Sequence, residues 1–365
     1  MASVDLVTSI YSSHAVYLER VAAGFGLEVK PYLNSIESRV TRTLNKLPKR
    51  ALTTEQRNNV LSEIDTINRE ELQGYTTEYK ENNKELAEHE NEFNKSTLTT
   101  LTESVAVATP TAAAVNSLAI GTPIKTGDKQ YTTYNRYINT YWKKYADMIN
   151  ATAEAGFLTG GTNQEIAKVI LEQLPADLKR AENAAKTMAR TATNHYGNAA
   201  TRAFVDTNDK VLSGYRFIAT LDGDTSKQCR SLDQRVFPKS ANNVPWPPLH
   251  PNCRSRMVYE IDGRYSYDSA TAKRPSKFTV DGDLDPKQVS SKAIYYKELG
   301  KLDANSQNAV LGPTLGKAFR KMDNPELFAK QTIDSTYNPI SIKDLKKKDN
   351  ELARVLNEQA KTNRG

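Results

Sequence analysis

Residues 215–260 read YRFIATLDGDTSKQCRSLDQRVFPKSANNVPWPPLHPNCRSRMVYE, and the fold class turns on this stretch. Tyr215, Phe217 and Ala219 alternate with Arg216, Ile218 and Thr220, the two-residue period of a strand. Turn residues follow at Asp222-Gly223-Asp224, and residues 256–260 supply a returning strand. Between them runs a loop rich in proline at 244–248. Outward in both directions the apolar residues recur at helical spacing instead. The expected fold is therefore mostly α with a small β unit (α+β): extended N-terminal helices, then a helical body carrying a short strand and loop motif.

Upstream, Leu6, Ile10, His14, Tyr17 and Val21, and then Leu33, Ile36, Val40 and Leu44, follow three- and four-residue spacing. Residues 1–50 read as helix, broken at Gly24 and Gly26 and again at Lys30-Pro31. Thr53 with Gln56 forms a capping box, opening one long helix to about residue 92. From 78 to 92 that helix is almost all charged residues and asparagine, which predicts a solvated face or one paired with partner subunits. Residues 96–130 change to Thr, Ala, Val, Ser and Gly, the pattern of a hinge around a short helix at 112–119. The helix over 132–155 carries Tyr134, Tyr137, Tyr141, Trp142 and Tyr145, a stripe that suits a core or subunit interface better than base stacking. Thr162 and Glu165 cap a helix through 172, Pro175 stops it, and an alanine-rich helix covers 176–205.

Downstream, 264–285 reads as a loop, and 289–302 and 305–322 as helices. The segment 341–365 carries Lys346, Lys347 and Lys348 and ends in a polar helix with Leu352, Val355 and Leu356. These changes of character divide the chain into an N-terminal helical arm over 1–130, a body over 131–325 and a polar basic tail over 326–365.

Composition narrows the function classes. The 365 residues are 38% hydrophobic, enough for two or three domains. A mean hydropathy of −0.63 implies that part of the chain lies outside a compact core. The net charge of +7 permits contact with nucleic acid or an acidic partner without requiring it. There is no run of 18 apolar residues, so no membrane span is expected, and the first residues lack the basic and apolar blocks of a signal peptide. Two cysteines exclude a disulfide scaffold and suit a reducing compartment during assembly.

Those cysteines carry the chemistry. Cys229, His250 and Cys253 fall within a short span, and His250-x-x-Cys253 can turn both side chains toward one ion. Thiolate and imidazole are preferred zinc ligands. A fourth position falls to Asp222, Asp224, Asp233 or a water. The expected role is structural, because the loop over 230–249 has little apolar content of its own and a metal crosslink would replace the missing core. The plainer alternative is that the three side chains simply pack against Trp246 and the prolines. His14, His89 and His195 lie in helical sequence and suit packing or surface roles. No catalytic or cofactor-binding residues are expected: no Walker lysine motif, no Gly-x-Gly-x-x-Gly and no His-x-Glu with Pro-Cys-x-x-Cys occurs.

The run from Gly214 to Asp222, with Asp224-Thr225-Ser226, Cys229, Leu232-Asp233, Val236-Phe237 and Pro247-Pro248-Leu249-His250-Pro251-Asn252-Cys253-Arg254 in that order, resembles the phage Mu F-like head morphogenesis family. Ala189-Arg190-Thr191 with Asn198-Ala199, and Gly156 and Gly160 with Thr162, Glu165, Ile166 and Ala167, are similar to segments preceding the motif in that family. Gln307, Val310, Leu311, Gly312 and Pro313 are similar to an element after it. Many members carry a further cysteine where this chain has Ser255, so a ligand is missing or replaced. The resemblance implies a body over 131–325 with the family's head morphogenesis role. It implies a minor virion protein, present in several copies near the portal and capsid interior, that assembles in the host cytoplasm and assists head assembly, DNA packaging or ejection. Its partners would be the portal, the major capsid or a scaffold protein, with non-specific DNA contact and no membrane. The competing expectation is an enzyme built on the Cys-His-Cys loop, a metal-dependent nuclease or an ADP-ribosyltransferase-like protein.

Overall fold

A computed structural model describes residues 3–102, 105–127, 130–265, 271–278 and 287–362. In chain order the elements are α1 (Ser3–Leu27), α2 (Val29–Asn45), α3 (Thr54–Leu101), α4 (Ala112–Gly121), β1 (Ile124–Gly127), β2 (Gln130–Thr132), α5 (Tyr134–Leu158) and α6 (Asn163–Thr207). They continue with β3 (Leu212–Ile218), α7 (Lys227–Leu232), β4 (Val236–Pro238), β5 (Arg256–Ile261), β6 (Lys273–Ser276) and β7 (Lys287–Ser290). The chain closes with α8 (Tyr295–Gly300), α9 (Ala304–Leu311), α10 (Pro313–Met322), α11 (Pro325–Gln331), α12 (Ile342–Leu345) and α13 (Glu351–Thr362). The protein is mostly helical with small antiparallel sheets, as the periodicities predict.

Three hydrophobic cores organise these elements. The first lies among α2 to α6 and takes up the aromatic stripe of α5, with Tyr134 and Tyr141 buried. The second forms on the sheet of order β4-β3-β5, against Val7 and Tyr11 of α1, Leu98 and Leu101 of α3, and Phe204 and Val205 of α6. The third gathers Leu221 and Phe278 with α8 to α13. The segment expected as a polar tail contributes Phe328, Leu345, Leu352, Val355 and Leu356 to it, while Lys347 and Lys348 stay exposed.

Several local expectations give way to packing. Helix α1 runs through Gly24 and Gly26. Gly26 lies where α1 meets α6, and a Cβ there would stand 2.8 Å from Lys186 Cα. Pro31 falls in the first turn of α2, where backbone N–H groups have no helical acceptor and its missing N–H costs nothing. Pro175 does not stop a helix either, since α6 is continuous across it. A proline inside a helix costs about 3 kcal/mol. Burial of Ile170, Leu174 and Leu178 on the same face offsets that cost. The hinge over 96–130 resolves into the end of α3, the helix α4 and a β1–β2 hairpin. In the expected loop over 264–285, residues 273–276 form β6, while 266–270 and 279–285 lie outside the described residues. The helix expected over 289–302 begins only at Tyr295, because 287–290 pair with β6. Gly312, at φ 80°, followed by Pro313 splits 305–322 into α9 and α10.

The charged stretch over 78–92, expected to present a solvated face or one paired with partner subunits, does expose Glu78, Glu81, Lys84, Glu85, Glu88 and Glu92, but Tyr79, Asn83, Leu86, Ala87, Glu90 and Asn91 are buried within the chain. Glu90 is fully buried because hydrogen-bonding partners reach it from two other elements: Arg256 Nη2 of β5 at 3.0 Å and His14 Nε2 of α1 at 2.6 Å. His89 Nδ1 stands 3.6 Å away, and the His14 ring stacks on Phe93. A charge can be buried when paired and hydrogen-bonded.

Strand β3 meets β4 so closely at Gly214 that a Cβ there would lie 2.3 Å from the Phe237 carbonyl oxygen. Backbone cannot yield as a side-chain tip can. Gly214→Ala should lower stability by about 1–3 kcal/mol in urea unfolding. An unchanged midpoint would show that the β3–β4 pairing is looser than described.

Candidate metal centre

The site is assembled by α6, α7 and the loop leading into β5. Ser226 caps α7, its side chain accepting from Cys229 N at 3.2 Å, which fixes Cys229 in the helix's first turn. Residues 250–253 form a turn, closed by Cys253 N donating to His250 O at 3.2 Å, with Asn252 at φ 60°. Helix α6 grips this turn with polar side chains. Thr191 Oγ1 accepts from Asn252 N at 2.9 Å, and Arg190 Nη1 donates to Asn252 Oδ1 at 3.1 Å. Asn194 Nδ2 donates to the carbonyls of Cys253 and Ser255, and Asn198 Oδ1 accepts from Met257 N. The polar residues of α6 satisfy loop backbone that would otherwise be buried without partners.

The three expected ligands come together. Cys229 Sγ lies 3.3 Å from His250 Nε2 and 3.7 Å from Cys253 Sγ. Both cysteines are buried and neither is in a disulfide. His250 Nδ1 donates to the Pro251 carbonyl at 2.9 Å, which leaves Nε2 facing the sulfurs. Burial opposes ionisation of Cys253, yet hydrogen bonds from Cys229 and His250 and the imidazole's charge bring its pKa well below the usual thiol value. Burial, and then Cys253, push Cys229 well above it.

The expected fourth ligands do not join them. The Asp222 carboxylate is bound by Arg254 Nη1 and Nη2 at 2.5 and 2.9 Å. That of Asp233 accepts from the backbone N–H groups of Ala219 and Tyr295 and from buried Arg274. Asp224 is exposed, and its backbone N–H donates to Asp222. Ser255, buried where a further cysteine was anticipated, hydrogen-bonds Cys229 with its hydroxyl. His195, buried against the Ala119 carbonyl at 2.7 Å, has its pKa pushed down to about 4 by burial and is a neutral packing residue.

Sequence reasoning missed the ring of arginine–carboxylate pairs around this loop: Arg254 with Asp222, Arg256 with Glu90 and Arg274 with Asp233. The alternation of arginines at 254 and 256 was a visible signal, but nothing local named their partners.

Residues 147–258 match the family model described as Phage Mu protein F like protein. The match runs from the middle of α5 through α6 to β5, enclosing the loop and the helix that grips it, and ends before the element at 307–313. Neither the curated proteins nor the solved structures contain a match to this chain. Over residues 147–258, then, the chain is similar to the phage Mu F-like proteins.

Proposed function

We propose that the protein is a minor head protein of a tailed phage, carried in the virion near the portal, and that it assists head assembly and DNA packaging or ejection by contact rather than catalysis. The family match over 147–258 carries this reading. The local chemistry agrees with it. A nuclease or transferase needs an acid or base free to act, and here Asp222 and Asp233 are each engaged by an arginine, leaving exposed Asp224 as the nearby carboxylate without such a partner among the described residues. The helices before residue 130 offer surface to a portal, major capsid or scaffold protein. The net charge of +7 suits weak, salt-sensitive contact with packaged DNA. No described helix is long and apolar enough to cross a membrane.

Because α2 and α3 build the first core, truncating 1–130 would unfold the chain, so the test uses whole particles. Mass spectrometry of purified virions should find the protein in several copies. An amber mutation should lower infectious titre, and purified protein should leave DNA intact with added divalent metal. Absence from virions overturns the proposal. Metal-dependent cleavage that disappears in His250→Ala would establish the enzyme instead.

We further propose that Cys229, His250 and Cys253 hold one structural zinc. Around a tetrahedral zinc, sulfur ligands lie about 3.8 Å apart and sulfur and nitrogen about 3.5 Å. The spacings of 3.7 and 3.3 Å already approach those edges. Elemental analysis should give about one zinc per chain, and Cys229→Ser should lower Tm by about 5 °C or more. Ser255→Cys, adding a fourth protein donor, should tighten zinc binding about tenfold or more in chelator competition. A metal-free protein whose Tm ignores Cys229→Ser would make the trio ordinary core.

A further inference from the structure

A small cleft lies between one face of α1 and the ends of β3 and β6. Its interior volume is about 60 Å³, and its wall includes Ser12, Glu19, Arg254, Arg256, Arg274 and Lys277. One water needs roughly 10–15 Å³ measured this way, so the cleft has room for a few waters or one small polyatomic ion.

Arginine, lysine and serine donors share the wall with apolar groups such as Val16, Ile218 and Leu221. Each guanidinium is held by a carboxylate that is not part of the lining: Arg254 by Asp222, Arg256 by Glu90 and Arg274 by Asp233. Those pairings leave polar atoms over. Arg256 Nε, Arg274 Nε and Ser12 Oγ are buried without a hydrogen-bond partner, in residues 3%, 1% and 8% exposed. Buried donors are rarely left unmatched, and these belong to three residues that line one cavity. Lys277 stands at the exposed rim, its backbone N–H fixed to the Leu221 carbonyl at 2.7 Å. Glu19 is the one acid in the wall; burial raises its pKa, against the charges of Arg254, Lys277 and Arg190, which lower it.

We propose that this cleft binds a single tetrahedral oxyanion of the phosphate class, either free phosphate or a terminal phosphate of a nucleic acid. Arginine and hydroxyl donors suit that geometry, and the volume admits a phosphate group but not a nucleoside. The site is independent of the zinc proposal and of the virion role.

Calorimetric titration of the full chain with inorganic phosphate in low-chloride buffer should show saturable binding at about one site per chain. Lys277→Gln and Ser12→Ala, at an exposed and a small residue, should fold normally and each weaken binding about tenfold. A 5′-phosphorylated oligonucleotide that outcompetes its 5′-hydroxyl twin identifies a nucleic-acid terminus as the source. Equal competition with retained phosphate binding identifies the free ion. Absence of saturable phosphate binding, or binding that neither substitution weakens, overturns the site and leaves a cleft of water.

Discussion

Glu90→Ala should cost about 3–5 kcal/mol of stability, among the largest single-residue losses in this chain. The substitution strands Arg256, 3% exposed, as a buried charge with its counterion gone. It also removes the hydrogen bond that anchors His14. Since Glu90 joins α3 to α1 and β5, the loss should appear as a shifted urea midpoint for the whole molecule. A shift below about 1 kcal/mol would mean that water reaches Arg256 and the pair is not buried. The same network sets a pH window. Burial works against the Glu90 carboxylate, but hydrogen bonds from His14 and His89 and the Arg256 charge outweigh it and hold its pKa well below the usual range. A depressed acid stabilises the fold above its unfolded pKa of about 4.5, and that stability is lost as pH falls through the folded value. His89 is raised by its hydrogen bond to Glu90. Its smaller, half-exposed contribution is complete below about 6.5 and lost as pH rises through the raised value. Unfolding midpoints across pH 3–8 should therefore fall on the acid side in the native chain and flatten there in Glu90→Gln.

Asp233→Asn should be of similar size, about 3–5 kcal/mol. Arg274 is 1% exposed and the Asp233 side chain is fully buried, so the amide leaves an uncompensated guanidinium. The amide also cannot accept from both backbone N–H groups that Asp233 now serves, those of Ala219 and Tyr295, without turning its own donor toward one of them. Asp233 links the end of β3 to β6 and α8, where the second core meets the third. The variant should therefore lose protease resistance first among α8 to α13. The double substitution Asp233→Leu with Arg274→Met should recover much of the loss, because an apolar pair leaves no stranded charge. If the double variant is no better than the single one, the damage comes from packing rather than charge.

Both residues show where sequence patterns stop. Thr53 with Gln56 and Thr162 with Glu165 announced their helix starts, and both capping boxes are present. Such boxes join residues three apart, so a local reading contains both partners. The alternation from Tyr215 to Ala219, the return strand at 256–260 and the grouping of Cys229, His250 and Cys253 were legible for the same reason: each is a short-range pattern. The gripping helix was visible as Arg190, Thr191 and Asn198, though not what it held.

The partners of the buried charges were not legible. Arg256 meets Glu90 across 166 residues, and Arg274 meets Asp233 across 41. Read alone, 78–92 is a solvated stripe, because charge is costly to bury and its neighbours in sequence offer no compensation. Likewise Pro175 reads as a stop until the packing on both sides of it is known. The sequence by itself determined the helical and strand periods, the caps and the grouping of Cys229, His250 and Cys253. Only the tertiary structure decided which charges are buried and which carboxylates are withheld from a metal. It also decided which donors converge on an oxyanion-sized cleft, because desolvation is set by whatever packs against a residue, however distant in the chain.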